Sequence, residues 1–464
     1  MKNITSPAFS RTPSGPERSY SIVGELNVDV RVSANPYGLE LDGLFGMAAR
    51  KNKKRGFLFV SKLLGKHLPV HPSLSLASGA MLGVLYAERI LGRSVAGADG
   101  DALREAFESR EGADRYYRER MAGKIRIDEP TLFIGFAETA TALGHSMFEA
   151  FEGSAWFLHT TREDIAWRSS SVDFEEEHSH AVAHRCYVRD PGLFRDAARI
   201  VLVDDEITTG KTALNIIGVL HERFGQREFV LASLLDWRSE ADRERFAETE
   251  RRLGIRIRCL SLVEGSIEAR GMPPEENDAI SREDTGSPCE IRRHDLSGLF
   301  AHERAPDAES GSGEGSGTAY LRHTGRFGMT SGEGRALDAE VSRAADYLQS
   351  RRTGRRVLCL GTGEFMYVPM RIAERMGEGV YSQSTTRSPI HPLRKEGYAV
   401  TTAYPFEAAD GEAVPNFIYN VEPGMYDEAF VFVEREYDAR RGASFERALT
   451  RIGVPIVHLV VFGK

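Results

Sequence analysis

A chain of 464 residues with a formal charge of −8 at neutral pH is long enough for two or three domains, each with its own core. Its 41% hydrophobic and 28% charged content and mean hydropathy of −0.34 are those of a soluble globular protein, and the acidic balance argues against general nucleic-acid binding, which needs a basic face. Cys186, Cys259, Cys289 and Cys359 lie far apart, which excludes a disulfide framework or a cysteine zinc site and fits a reducing, cytoplasmic setting.

From the N-terminus, residues 1–24 have no apolar core for a signal peptide and are expected to be disordered. No later apolar run reaches the roughly 18 residues that span a bilayer, so no membrane association is expected. Strands then alternate with helical segments: TLFIGF at 131–136, a helix from about Leu143, AWFLHT at 155–160, RIVLVDD at 199–205, a helix over 212–224, FVLASLLDW at 229–237, and a charged helix before IRIRCLSLV at 255–263. That alternation specifies an α/β fold, a parallel sheet with helices on its faces. APDAESGSGEGSGTAY, residues 305–320, cannot build a packed core and reads as a flexible linker. With the charged, Pro-containing residues before it, it places a boundary over 272–318 and separates a domain at 25–271 from one at 319–464.

Chemistry concentrates where the strand at 200–203 passes into the helix. The turn holds Asp204, Asp205 and Glu206, then Thr208, Thr209, Gly210, Lys211 and Thr212. A helix N-terminus leaves backbone N–H groups unpaired and carries positive dipole character, hydroxyls add donors, and Gly210 lets the backbone approach closely; such a turn suits a sugar phosphate. It is not a Walker A loop, because Asp205 stands where that loop needs glycine.

The stretch VLVDDEITTGKT at 201–212 resembles the phosphoribosyl-diphosphate (PRPP) loop of type I phosphoribosyltransferases. The resemblance implies that Asp204 and Asp205 hold the ribose hydroxyls, directly or through Mg²⁺ and water, while Glu206 and Thr208 to Thr212 surround the 5′-phosphate. It also implies a diphosphate loop after the first sheet strand. TLFIGFAETATALG offers Ala137, Glu138, Thr139 and Ala140 there, with Arg162 emerging from the next strand. Residues 163–185 show no clear period, and long loops inside compact domains are usually functional. A lid there would keep water from a transition state with carbocation character at C1′, with His178, His180, His184 and Arg185 neutralising the departing diphosphate. The spacing H-x-H-x3-H also permits a metal site, and a solvated surface loop is the plain alternative. Residues 30–75 are the candidate hood over the acceptor base, with Lys62, Lys66 and His67 as possible contacts, whereas RKNKKR at 50–55 reads as solvated charge.

The landmarks recur downstream in order. LGTGEFMY, YSQSTTRSPI, FVFVEREYDARRGASF and IVHLVVF match IGFAETAT, FLHTTREDI, IVLVDDEITTGKTALN and FVLASLL, at offsets of 226, 225, 230 and 227. Residues 319–464 are therefore expected to form a second α/β domain with the same sheet topology, a degenerate duplicate without the Thr-Thr-Gly-Lys-Thr turn. The tetrad Thr386-Arg387-Ser388-Pro389 gives the chain a layout similar to two-domain proteins of bacterial tellurium-resistance clusters, whose second unit is the TRSP domain. Thr362, Gly363, Glu364, Thr386, Arg387 and Ser388 either line a second pocket, with Arg387 on a phosphate or carboxylate, or are relic turns. The resemblance implies an orotate-phosphoribosyltransferase-like enzyme that takes PRPP and a base, with Mg²⁺ and a possible homodimer; the alternative is a PRPP-binding regulator without turnover.

Overall fold

The computed structural model describes residues 17–51, 55–97, 100–175, 183–273, 289–304, 319–408 and 414–464. The first unit begins with β1 (Glu17–Val23), β2 (Leu26–Ala34), α1 (Leu41–Leu44), β3 (Phe45–Ala49) and β4 (Phe57–Ser61). Next come α2 (Pro72–Arg89), α3 (Gly100–Glu108), α4 (Arg110–Ala122), β5 (Ile125–Gly135), α5 (Ala140–Glu149) and β6 (Phe151–His159). The hairpin of β7 (Val172–Glu175) and β8 (Ala183–Cys186) precedes α6 (Gly192–Asp196), β9 (Arg199–Ile207), α7 (Lys211–Phe224), β10 (Glu228–Asp236), α8 (Glu240–Leu253) and β11 (Arg256–Arg270). The second unit contains β12 (Glu290–Asp295), β13 (His302–Glu303), β14 (Tyr320–Leu321), β15 (Met329–Thr330), α9 (Gly334–Gln349), β16 (Val357–Gly361) and α10 (Tyr367–Arg375). It ends with β17 (Val380–Ser384), β18 (Ala403–Glu407), β19 (Pro415–Tyr419), β20 (Glu428–Val433), α11 (Ala439–Arg451) and β21 (Ile456–Val461).

The central strands are continuous apolar runs because helices cover both sheet faces; Ile200, Val201, Leu202 and Val203 of β9 are fully buried. In α7 the buried residues Ala213, Ile216, Ile217 and Leu220 recur at helical spacing. A Ser239–Asp242 capping box starts α8, and left-handed Gly254 stops it. α5 is buried along its whole length, and α2 nearly so, because α2 and α5 both pack on α10 of the second unit as well as on the first sheet.

The first sheet runs β1-β2-β11-β10-β9-β5-β6-β15. Its five central members, β11 to β6, are parallel, and the edge strands β1, β2 and β15 are antiparallel. The second sheet, β12-β21-β20-β16-β17, is parallel throughout. Strand for strand, β21-β20-β16-β17 repeats β10-β9-β5-β6, so the strand orders agree with the internal register read from the sequence. The helices agree too: α10 and α11 stand where α5 and α7 do, and the antiparallel hairpin β18–β19 stands where β7–β8 does.

Two boundaries differ from expectation. Residues 17–23 are not part of a disordered segment; they form β1, an edge strand whose polar residues leave little apolar pattern to read. Within the expected 272–318 linker, Glu290–Asp295 pairs along β21, so the second unit's sheet starts before residue 319. EIRRHD has no apolar alternation because an edge strand needs only its backbone to pair.

The units dock through their counterpart elements. α5 packs on α10, with the His145 ring stacked on Tyr367 at 3.6 Å between centroids. Thr386 Oγ1 donates to Glu138 Oε2 at 2.9 Å, and its counterpart Thr161 Oγ1 donates to Glu364 Oε2 at 2.5 Å. Each unit thus contributes the same pair of groups to the other, as across an isologous interface.

Candidate functional site

At the carboxyl ends of β5 and β9, where open α/β sheets bind ligands, lies a pocket of about 400 Å³. The β9 turn supplies Asp204, Asp205, Glu206, Thr208, Thr209 and Gly210, and α7 adds Thr212. The strand continues through both aspartates to Ile207, so their side chains sit at the sheet edge, half-buried. Gly210 is the N-cap of α7 at φ 70°, and a Cβ there would stand 2.5 Å from the Phe246 ring. Only glycine meets both conditions. Beneath the turn, Arg238 lies 4.4 Å over that ring and pairs with Asp236 at 2.7 Å. The start of α7, where the Lys211 N–H turns back to Thr209 Oγ1 at 3.4 Å, therefore stands in the same turn as the acid pair, with Thr212 and Ala213 lining the pocket.

The β5–α5 turn brings Ala137, Glu138 and Thr139 to the same pocket, and β6 brings Arg162. Glu138 Oε2 pairs with Lys66 Nζ at 3.1 Å, and Lys66 also donates to Thr139 Oγ1. Burial opposes ionisation of Glu138, yet Lys66, Arg162 and Arg387 together hold its carboxyl below the usual carboxylate range. Those three cations gather around Glu138 in the pocket lining. Arg387 comes from the second unit, with Ser388 and Pro389 beside it.

The hood expectation places residues 30–75 over this edge, and the β3–β4 hairpin supplies Arg50, Arg55, Leu58 and Phe59 to the pocket, with Lys66 and His67 following. Arg50 and Arg55 correct the reading of residues 50–55 as mere solvated charge: Arg55 pairs with Glu206 at 2.5 Å and lies 4.7 Å over Phe57. Burial raises the Glu206 carboxyl despite that partner. Burial, with Lys66 and Arg50 nearby, pushes His67 well below its ordinary range, leaving a neutral ring. Lys62 faces away, donating to the Asp42 carbonyl.

In place of an irregular loop, residues 172–186 contain the β7–β8 hairpin. His178 and His180 lie outside the described residues. His184 lines the pocket as a buried ring stacked on Phe174, its Nδ1 3.0 Å from Thr160 Oγ1, which accepts from the Ala137 N–H. Through Thr160 it braces the β5–α5 turn as well as facing the cavity. Arg185 and Ala140 do not line the pocket: Arg185 bonds the Arg162 carbonyl and faces Asp164, and Ala140 is buried at the start of α5. Lys211 begins α7 without lining the cavity. Thr362, Gly363 and Glu364 line a different pocket, and Thr386 is buried in the wall between the two. Sequence reasoning missed Arg326, which binds Thr161 and Glu364 at 2.8 and 3.2 Å and Glu434 at 2.9 Å, because its partners converge only when the units dock.

No group of three or more His, Cys, Asp or Glu side chains among the described residues is placed to hold a metal unaided. The donor set still fits Mg²⁺, which takes one or two carboxylates and completes its shell with substrate phosphate oxygens and water.

Residues 44–266 match the family model described as phosphoribosyl transferase, and residues 323–449 match the TRSP domain that lies C-terminal to it. Among solved structures, adenine phosphoribosyltransferase from Trypanosoma brucei is 13% identical, with 51% of this chain and 82% of that chain covered and a TM-score of 0.29. The enzyme from Saccharomyces cerevisiae is 12% identical, covering 34% and 82% at a TM-score of 0.20, and that from Leishmania tarentolae 22%, covering 33% and 72% at 0.22. No curated protein matches the chain.

Proposed function

From the premise that the chain is a type I phosphoribosyltransferase-like protein with a C-terminal TRSP domain, we propose that it transfers ribose 5-phosphate from PRPP to a base nitrogen and releases diphosphate. One observation carries this reading. A single pocket is lined by the acid pair, the threonine turn at a helix N-terminus, and three cations gathered around Glu138.

In this reading Thr208, Thr209 and Thr212 with the N–H groups of α7 hold the 5′-phosphate, with Lys211 adding positive charge from the first turn. Asp204 and Asp205 accept from the ribose hydroxyls, directly or through water, and are the groups that would hold Mg²⁺. When bound, the metal neutralises diphosphate charge. Lys66, Arg162 and Arg387 face the developing charge on the leaving oxygen, where fixed cations in a site closed to water are worth most. Glu138 fixes Lys66 in place. The acceptor lies under Phe59 and Leu58 of the hood. Its ring nitrogen bonds C1′ as the C1′–O bond breaks, with inversion, and the electron pair leaves on diphosphate. His178 and His180 belong to the same proposal as lid groups.

The test is to mix the protein with Mg·PRPP and each of a panel of purine and pyrimidine bases and to follow diphosphate release. Release with one base establishes a transferase and names its acceptor. PRPP binding with release for none of them would favour a PRPP-responsive regulator.

A further inference from the structure

The second sheet has its own pocket, about 360 Å³, at the carboxyl ends of β16 and β20. It occupies the place in its unit that the PRPP pocket occupies in the first, and Glu138 and Arg387 line both. Its chemistry is different. Phe406 from β18 and Phe445 from α11 make an aromatic wall, with centroids 4.8 Å apart, and Thr362, Gly363 and Asn416 add polar groups.

Among the described residues, the threonine turn of the first pocket has no counterpart here. The Tyr437 ring packs against Gly442 in the first turn of α11 so closely that a methyl at 442 would run into it, and no Thr-Gly turn precedes the helix. Six carboxylates, Glu138, Glu163, Glu364, Glu434, Glu436 and Asp438, face three arginines. Arg326 is held by Glu163, Glu364 and Glu434 at 3.5, 3.2 and 2.9 Å, Arg435 by Glu163 at 2.5 Å, and Arg387 acts on Glu138. With Lys66 and Arg162 flanking Glu138 from the first pocket, the described lining still carries more carboxylates than cations, a balance that disfavours anions.

One atom asks for a donor. Glu138 is 6% exposed, and its Oε1 has no hydrogen-bond partner among the described residues. That oxygen points toward the second pocket, 3.9 Å from where a Cβ on Gly363 would stand. A buried acceptor left unpaired is costly, and a ligand N–H or O–H would satisfy it.

We propose that this pocket binds a neutral or cationic heteroaromatic ligand bearing hydroxyl or amino donors, the class of an unphosphorylated nucleoside, and discriminates against its phosphorylated form. The ring lies against Phe406 and Phe445, and a donor reaches Glu138 Oε1. The proposal does not require the transferase reading to hold, although the two pockets share Glu138 and Arg387.

The test is calorimetry on the full chain, first with Mg·PRPP to fill the first pocket, then with adenosine, cytidine, AMP and CMP as separate probes. At least one nucleoside should bind, and its monophosphate should bind about tenfold more weakly or not at all. Phe406→Ala should weaken nucleoside binding about tenfold, whereas Asp204→Asn with Asp205→Asn should leave it unchanged. Because Phe406 is buried and its removal threatens the hairpin, Glu436→Lys on the exposed rim serves as a second variant, expected to narrow the gap between nucleoside and monophosphate. Absence of binding by both nucleosides would overturn the proposal, as would monophosphate binding as tight as that of the nucleoside, or an unchanged gap in the Glu436 variant. Failure of PRPP to bind in the first step counts against the transferase reading alone.

Discussion

At the carboxyl end of β9, the four carboxylates Glu138, Asp204, Asp205 and Glu206 face the five cations Arg50, Arg55, Lys66, Arg162 and Arg387. At the corresponding end of β20, six carboxylates face three arginines. Both edges sit on sheets with the same strand order, each beside an antiparallel hairpin. Topology therefore fixes where a ligand can sit, and a handful of turn residues decides which ligand. In the proposed reading, the Thr-Thr-Gly-Lys-Thr turn of the first pocket and the turn with Tyr437 packed on Gly442 in the second are what separate a phosphate site from one that disfavours phosphate.

The contrast can be broken first at the acid pair. Asp204→Asn with Asp205→Asn should abolish PRPP binding, a loss on the order of 100-fold or more, with little change in thermal stability because both side chains lie at the pocket edge. Calorimetry beside a melting curve reads both quantities, and a folded double variant with unchanged affinity would remove the site assignment.

The docking that joins the pockets is open to a pH test through Glu364. Burial opposes its ionisation, but Arg326, with His159, Thr161 and the Arg162 N–H, brings its pKa down to about 2. A carboxyl whose folded pKa is depressed stabilises above its unfolded pKa and loses that contribution as pH falls toward the folded value. Below the ordinary value of 4.5, and progressively down to about 2, the protein should lose on the order of 3 kcal/mol from this group. Urea unfolding of wild type and Glu364→Gln should therefore differ most near pH 6 and converge as the solution is acidified; a gap independent of pH would show that Glu364 titrates normally.

Gly210→Ala sharpens the comparison at the turn itself. The left-handed backbone and the Phe246 contact should together weaken PRPP binding about tenfold, while the second pocket keeps its ligand. The smallest effect is expected from Arg387→Gln, a several-fold rise in the PRPP dissociation constant, since Lys66 and Arg162 remain around Glu138.

Much of this was legible before the fold was seen, because the central features are local. VLVDDEITTGKT carries its strand, its acids and its phosphate turn within one stretch, and the repeated landmarks carried the second sheet's order. What escaped depends on distant docking. Arg55 lies in a basic run that looks like surface until the hairpin folds over Glu206. Arg387 was assigned to a pocket of its own unit, and only the reciprocal Glu138–Thr386 and Glu364–Thr161 contacts put it in the wall of the first. Glu290–Asp295 has no apolar face, so nothing in its pattern announces a strand.

The central claim is that two pockets of one topology are divided between an anionic ligand and a neutral or cationic one. Calorimetric titration of the full chain with PRPP, with and without Mg²⁺, tests it most directly. The account expects metal-dependent binding at one site per chain; two equivalent sites, or none, would contradict it.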